Sequence, residues 1–433
     1  MLGARGYINP AISGIPFLHY HCRFAQRPVL HRDFILYLLV IGFASLATGI
    51  QLVLIPWLAT GQLGLSGEQV GWVQAANLIP GALLLLWSGA FADRRGSAGY
   101  LPWIYLGMML CHLGILAVIA ADALLLPVLL FYGALLGVGY ALLQPLRDRL
   151  LPLLVERRSS HTVQHGVVMV SMCVYTCQAL GVAVAGQMDR LGLSQVLLLQ
   201  GVCLLAAALL CRPILRGLPA AVAAPATAAG HSPEPGIGRG LRYIRRQRVL
   251  RHLILLVAFN GFTHLGVYLV AMPLLVRDVY AGDAAFFSVL QLLFVVGSIV
   301  SAVALLRRGT VEQPGRSLLF CLLYSGLIML ALAARPTATG LALLVFAWGV
   351  VAGVSTNMGK ALLQQQVADE FRGRVLSLYF LALLGSAPLG ALACGYLMHW
   401  HGSQFLFLLS GSVSLLLFAA YLRSTALWRV PQH

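Results

Sequence analysis

Gly89-Ala90-Phe91-Ala92-Asp93-Arg94-Arg95-Gly96 is a short charged turn between two long apolar runs. Only 10% of the chain is charged, so an Asp, two Arg and a closing Gly in succession stand out. The stretch is too short to be a domain and too charged to lie in lipid. It reads as a tight turn joining two membrane helices on one face of a bilayer.

The surrounding chain has 433 residues, 60% of them hydrophobic, and a mean hydropathy of +0.86. A soluble chain of this length needs about a quarter of its residues charged. This one has too few to cover a surface facing water. Apolar runs of about 18 residues or more recur, each long enough to cross a hydrocarbon core of roughly 30 Å. They do not alternate with period two, which excludes a membrane barrel.

Spans are expected at about 34–57, 69–91, 99–120, 124–145, 164–188, 194–213, 251–275, 284–306, 317–334, 339–360, 373–397 and 403–422. The one long connection, 214–250, starts as an Ala/Pro-rich flexible linker. It ends in a basic segment, Arg239–Arg251, expected to form a short amphipathic helix on the membrane surface. The linker divides the spans six and six. The predicted organisation is a cytoplasmic tail (1–33), a six-helix bundle (34–213), a cytoplasmic linker (214–250), a second six-helix bundle (251–422) and a cytoplasmic tail (423–433). The fold class is all-α and polytopic, with twelve transmembrane helices in two pseudo-symmetric bundles.

The charges test this arrangement. With a cytoplasmic N-terminus, 26 of the 29 Arg and Lys residues fall on inside segments. Only Arg190, Arg277 and Arg335 fall outside. Such a bias is the positive-inside rule, and an error of one span would scramble it. The net charge of +16 is therefore assigned to anionic phospholipids at the cytoplasmic face and not to nucleic acid. The eight Cys lie mostly within apolar runs without CxxC spacing. They imply neither disulfides nor a metal.

The halves echo one another. The fifth span carries Gly181 and Gly186, and the eleventh carries Gly390 and Gly395, both pairs five apart. Each follows a basic segment, with Arg147 and Arg149 in the first half and Lys360, Arg372 and Arg374 in the second. Paired halves of this kind form a midplane site that opens alternately to either side.

On these residues the chain resembles the major facilitator superfamily. Gly89, Asp93, Arg94 and Gly96 occupy the defined positions of the family's Gly-x-x-x-Asp-Arg-x-Gly signature between spans two and three. The following basic pair is replaced by Ser97 and Ala98. A resemblance to the branch of the enterobactin exporter and macrolide efflux proteins rests on Pro273–Tyr280, Asp369–Val375 and Gly385–Gly390. It implies export of a siderophore or drug-like molecule by alternating access, with proton coupling. The span-five Gly-Pro of antiporters is absent from Gln178–Gly186, and Gly133 stands where many drug/proton antiporters carry an Arg. The resemblance thus carries export further than it carries proton antiport. Lipid or lysophospholipid transport and a non-transporting sensor or scaffold are the alternatives.

The resemblance makes Asp93 a conformational latch facing the start of span eleven near Phe371–Val375, where a helix N-terminus favours an anion. Arg147 and Arg149 are candidate ion-pair partners. Gly181, Gly186, Gly390 and Gly395 are expected to let spans five and eleven pack against the opposite half, and Pro388 to kink span eleven. No Asp or Glu lies near the middle of any span, so His264, with Asn260 one turn earlier, is the leading intramembrane titratable group. Gln51, Gln74, Asn77, Tyr140, Gln144, Tyr175, Gln178, Gln291, Trp348 and Asn357 complete the expected substrate cavity, which suits a neutral or anionic molecule. There is no GxxxxGK[ST], HExxH or G-x-S-x-G, so neither ATP hydrolysis nor intramembrane hydrolysis is expected. No cofactor is expected, and the protein is expected to act as a monomer.

Overall fold

The computed structural model describes residues 32–92, 97–158, 163–216, 237–308, 311, 313–423 and 425–428. Among them every regular element is helical. Hydrocarbon offers no water to backbone N–H and C=O groups, and a helix satisfies them within one segment.

The spanning helices are α1 (Arg32–Trp57), α2 (Gly67–Ala92), α3 (Leu101–Ala120), α4 (Leu126–Arg158), α5 (Val163–Ala185) and α6 (Leu193–Arg216). They continue with α7 (Arg248–Asp278), α8 (Ala284–Arg308), α9 (Pro314–Ala333) and α10 (Ala338–Gln366). The continuous stretch Asp369–Arg423 holds two antiparallel spans, α11 (369–401) and α12 (403–423), which part at Gly402. Its φ of 79° lies where a side chain would be strained and glycine is not. Ten stretches are long and apolar enough to cross a membrane. The last of them holds both α11 and α12, and α2 lies outside the ten, which brings the spans to the twelve expected.

Local chemistry sets several ends. Ser66 and Gln69 form a reciprocal capping box before α2, with Ser66 N–H donating to Gln69 Oε1 (3.0 Å). Thr337 caps α10 by accepting from Gly340 N–H (3.2 Å). Pro102 and Pro314 occupy first turns, where the missing N–H costs nothing.

The internal repeat is visible in the packing. α1 lies on α5 as α7 lies on α11; α2 lies on α4 as α8 on α10; α3 lies on α6 as α9 on α12. Each pair recurs six helices later. Between the bundles, α2 meets α11 and α5 meets α8, and the same operation relates these two contacts. Leu83, Leu306 and Leu416 stand exposed on the outside of the bundles, as lipid-facing side chains do.

Two local expectations are corrected. Arg147 and Arg149 do not sit in a loop, because α4 continues to Arg158. The surface helix spans Ile237–Arg246 and breaks at Gln247, and α7 begins at Arg248, earlier than expected. Pro388, expected to kink α11, lies within it; the non-helical residue in this stretch is Gly402.

Candidate functional site

The bundles meet chiefly near one face of the molecule. It is the face opposite the arginine-rich ends of the spans. α2 and α11 approach through small residues: a methyl group at Gly395 would lie 2.6 Å from the Gly67 carbonyl oxygen, and one at Gly71 2.8 Å from that of Ala391. α5 and α8 close the other side, where a methyl at Gly186 would lie 2.7 Å from Ser288 Cβ. Gln74, buried on α2, donates from Nε2 to the Leu269 carbonyl of α7 (3.2 Å).

An arginine clamps the same face. Pro56 precedes a π-helical turn, Leu58–Gln62, that ends α1. The last carbonyls of a helix lack partners in their own helix and carry partial negative charge. Arg277, at the end of α7, donates from Nη1 to the carbonyls of Thr60 (3.1 Å) and Leu65 (2.9 Å). Asp278 holds the guanidinium through Nε–Oδ1 (2.5 Å) and Nη2–Oδ2 (3.2 Å). A cation of the second bundle thus caps a helix end of the first. Arg277 is one of only three basic residues expected outside, a signal present in the sequence but assigned there to no site.

The expected helix-packing glycines divide by role. Gly186 and Gly395 face the opposite bundle. Gly181 and Gly390 do not. Gly181 packs on Leu46 and Gly49 of α1, and Gly390 on Phe262 of α7, each within its own bundle. The reason is the pairing of α5 with α1 and of α11 with α7, which brings backbones into contact inside each half.

At the basic face, Asp93, Arg94 and Gly96 lie outside the described residues, as do the side chains of Arg149 and Arg372; Gly89 belongs to α2. Arg147 turns into the first bundle. Its Nε donates to the Tyr105 hydroxyl (2.8 Å), its guanidinium lies over the Tyr105 ring (5.4 Å), and its carbonyl accepts from the Tyr37 hydroxyl (2.9 Å). The start of α11 is packed by the surface helix. Tyr243 stacks on Phe371 with ring centroids 4.5 Å apart, and its hydroxyl accepts from Ala368 N–H (3.3 Å). The Arg374 guanidinium lies over the same Phe371 ring (5.8 Å).

The expected cavity residues separate into groups. Gln51 is buried inside the first bundle, where its Oε1 accepts from Gln200 Nε2 (2.7 Å) and the Tyr132 hydroxyl (3.2 Å). Asn77 lies in the α2–α4 contact beside Gly133 and Gly137. Gln178 contributes backbone to the α1–α5 contact at Gly49. Tyr140 is half-buried on α4; Gln144 and Tyr175 are exposed, Gln144 donating to Asp148 (3.2 Å). Asn357 is exposed and donates back to the Gly353 carbonyl of its own helix (2.9 Å).

In the second bundle the Tyr268 hydroxyl donates to Gln291 Oε1. Tyr268 also packs on Phe294 (4.5 Å) and edge-on to Trp348 (5.4 Å). Tyr268 and Phe294 were not among the expected residues, although aromatic residues of other spans, Tyr140, Tyr175 and Trp348, were. Asn260, His264 and Trp348 line a cavity of about 50 Å³. His264 sits in a π-helical turn, Gly261–Leu265, in the middle of α7, a feature that often marks functional positions.

Comparisons with known proteins agree with this architecture. The family model of the Major Facilitator Superfamily matches residues 37–383. The Staphyloferrin A transporter of Staphylococcus aureus (strain NCTC 8325 / PS 47) is 25% identical over 351 residues, covering 77% of this chain and 83% of that protein. Among solved structures, the nucleoside transporter NupG superposes with a TM-score of 0.72 at 12% identity, covering 93% of this chain and 100% of that one. A bacterial homologue of the human lysosomal transporter Spinster, inward-facing and unoccupied, superposes with a TM-score of 0.66 at 14% identity, covering 93% and 99%. At such identities the two structures speak for the fold alone.

Proposed function

Because the chain belongs to the Major Facilitator Superfamily, we propose that it exports a small organic molecule, a siderophore or a drug-like compound, across the inner membrane by proton-coupled alternating access. The family makes it a membrane transport protein and not an enzyme. The observation that carries the mechanism is the one-sided contact between the bundles. They are held together by α2–α11, α5–α8 and the Arg277 clamp at the face opposite the basic one. By the positive-inside rule the basic face is cytoplasmic, with both termini on that side. The conformation is then inward-open, the state in which an exporter receives cargo.

The relative named for staphyloferrin A favours a siderophore among the candidate substrates. Arg242, Arg245, Arg246, Arg248 and Arg251 are exposed around the surface helix, in keeping with contact to anionic headgroups worth about 1 kcal/mol each. The bundle boundaries at 214–250, the Asp93 latch and a monomeric state belong to the same reading.

The test is directional flux. Everted membrane vesicles containing the protein should accumulate labelled staphyloferrin A when their interior is acidified, and right-side-out vesicles should not. Accumulation only in right-side-out vesicles would mean import. A macrolide moved in its place would assign the drug-like substrate.

A further inference from the structure

A groove runs down the outside of the second bundle between α9 and α10. Only these two helices line it, with Tyr324, Leu327 and Ala331 on α9 and Leu344, Ala347 and Val351 on α10. Its volume is about 490 Å³, within the roughly 300–1,000 Å³ of small-molecule sites. Tyr324 is the single polar side chain in the lining. With 3.6 residues per turn, Ala347 and Val351 lie across α10 from Gly349 and Gly353, whose neighbours are in α8. Leu343, beside Leu344, is 65% exposed, as a lipid-facing side chain is. Both helices make their main contacts within the second bundle, so the groove travels with it.

The length of the groove selects its occupant. At 1.5 Å per helical residue, Ala331 lies about 6 Å and Tyr324 about 16 Å along α9 from Arg335. The groove therefore covers about half of a hydrocarbon core of roughly 30 Å, from near the face opposite the basic one to mid-span. An acyl chain of one leaflet has that reach, whereas a spanning helix needs the whole thickness. Arg335 stands at the shallow end, in the short connection between α9 and α10. That connection is held from several sides. Gln404 of α12 donates to the Ala333 carbonyl (3.4 Å), the Tyr280 hydroxyl donates to the Pro336 carbonyl (2.5 Å), and Thr337 caps α10. Arg335 is exposed, and among the described residues its side chain has no partner. Of the other two basic residues at this face, Arg277 clamps α1 and Arg190 donates to Gln187 (3.5 Å). The φ of Arg335 is 51°, the left-handed position just past a helix end, where glycine is the usual residue.

We propose that this groove binds one anionic phospholipid of the leaflet opposite the basic face, with Arg335 on the phosphate and an acyl chain between α9 and α10. The planar guanidinium fork matches a phosphate, and the apolar lining matches the chain. The turn between Ala331 and Arg335 leaves room for the glycerol backbone. Because the whole site belongs to one bundle, the lipid binds alike whichever way the transporter opens. It splints α9 to α10 without biasing the balance of states. The site depends neither on the cargo nor on the direction of transport.

The test is local lipid preference in vesicles of phosphatidylcholine and phosphatidylglycerol. A bimane fluorophore on Leu343→Cys, in a cysteine-replaced background, is quenched by lipids with brominated acyl chains. Brominated phosphatidylglycerol should be preferred there by about fivefold, the contribution of one Arg at a membrane surface. The same fluorophore on Leu110→Cys, exposed at mid-span of α3, should show no such preference. Arg335→Gly, which suits the backbone, should erase the preference at Leu343, and Arg335→Lys should keep part of it. Ala347→Phe, which fills the groove, should erase it too; if that variant does not fold, Val351→Phe fills the same groove. No preference in the parent protein, or one unchanged in Arg335→Gly, overturns the proposal. A preference that survives filling of the groove overturns the seat for the chain. Quenching by both lipids that falls alike as the protein is concentrated in the membrane places a second copy of this chain in the groove and overturns the lipid.

Discussion

Removing the Arg277 side chain should loosen the face at which the bundles meet. In Arg277→Ala the carbonyls of Thr60 and Leu65 lose their donor from the second bundle, and Asp278 loses its ion-pair partner. Hydrogen bonds to charged groups contribute about 1.5–3 kcal/mol each when well shielded. The Arg277 side chain retains 28% of its exposure, so water replaces part of this. A net loss of about 1–3 kcal/mol from the closed state is the expected scale, equivalent to a shift of about 5–150-fold in the balance between states. The shift can be read from spin labels at Gln62→Cys and Ala334→Cys, both exposed at the ends of α1 and α9 opposite the basic face, in a cysteine-replaced background. Double electron–electron resonance should show a longer-distance population growing in Arg277→Ala. Arg277→Lys should be intermediate, because an ammonium lacks the planar fork that engages Asp278 and the carbonyls together. An unchanged distance distribution in Arg277→Ala, with unchanged transport, would refute the clamp.

Other substitutions separate folding from gating. Gly390→Ala places a methyl against the Phe262 backbone within one bundle; overpacking costs about 1–3 kcal/mol, read as a lower melting temperature. Gly395→Ala clashes across the bundles with Gly67, so it should instead favour the outward-open state in the spin-label assay while melting near the parent. Gln51→Leu strands Gln200 Nε2 and the Tyr132 hydroxyl of their side-chain partner and should destabilise by about 1–3 kcal/mol, seen in thermal unfolding in detergent. Asp93→Asn should abolish transport with expression intact; normal flux would remove the latch from the mechanism.

The sequence by itself determined the class, the number of spans and where several of them begin. Hydrocarbon thickness fixes how long an apolar run must be, and charged residues cannot lie within it, so both signals are local and readable in order along the chain. Ala284–Arg308 and Ala338–Gln366 begin within one residue of expectation for this reason. α4 overran its expected end because a helix can continue into the headgroup region, where hydropathy no longer marks it. The repeat was legible in the paired glycines, but their partners were not. Gly181 and Gly186 differ by five residues and therefore point in different directions, one into its own bundle and one across the interface. Only the tertiary structure decided that, and it also drew Gln51 into a buried network, set Arg277 under the end of α1 and enclosed His264 in a cavity of its own bundle. Direction around a helix axis depends on which neighbour each face meets, and in an almost uniformly apolar chain no amphipathic stripe reports it. The charged stretch at Gly89–Gly96 signalled the end of α2, which runs to Ala92; the packing on the opposite face revealed which side is closed.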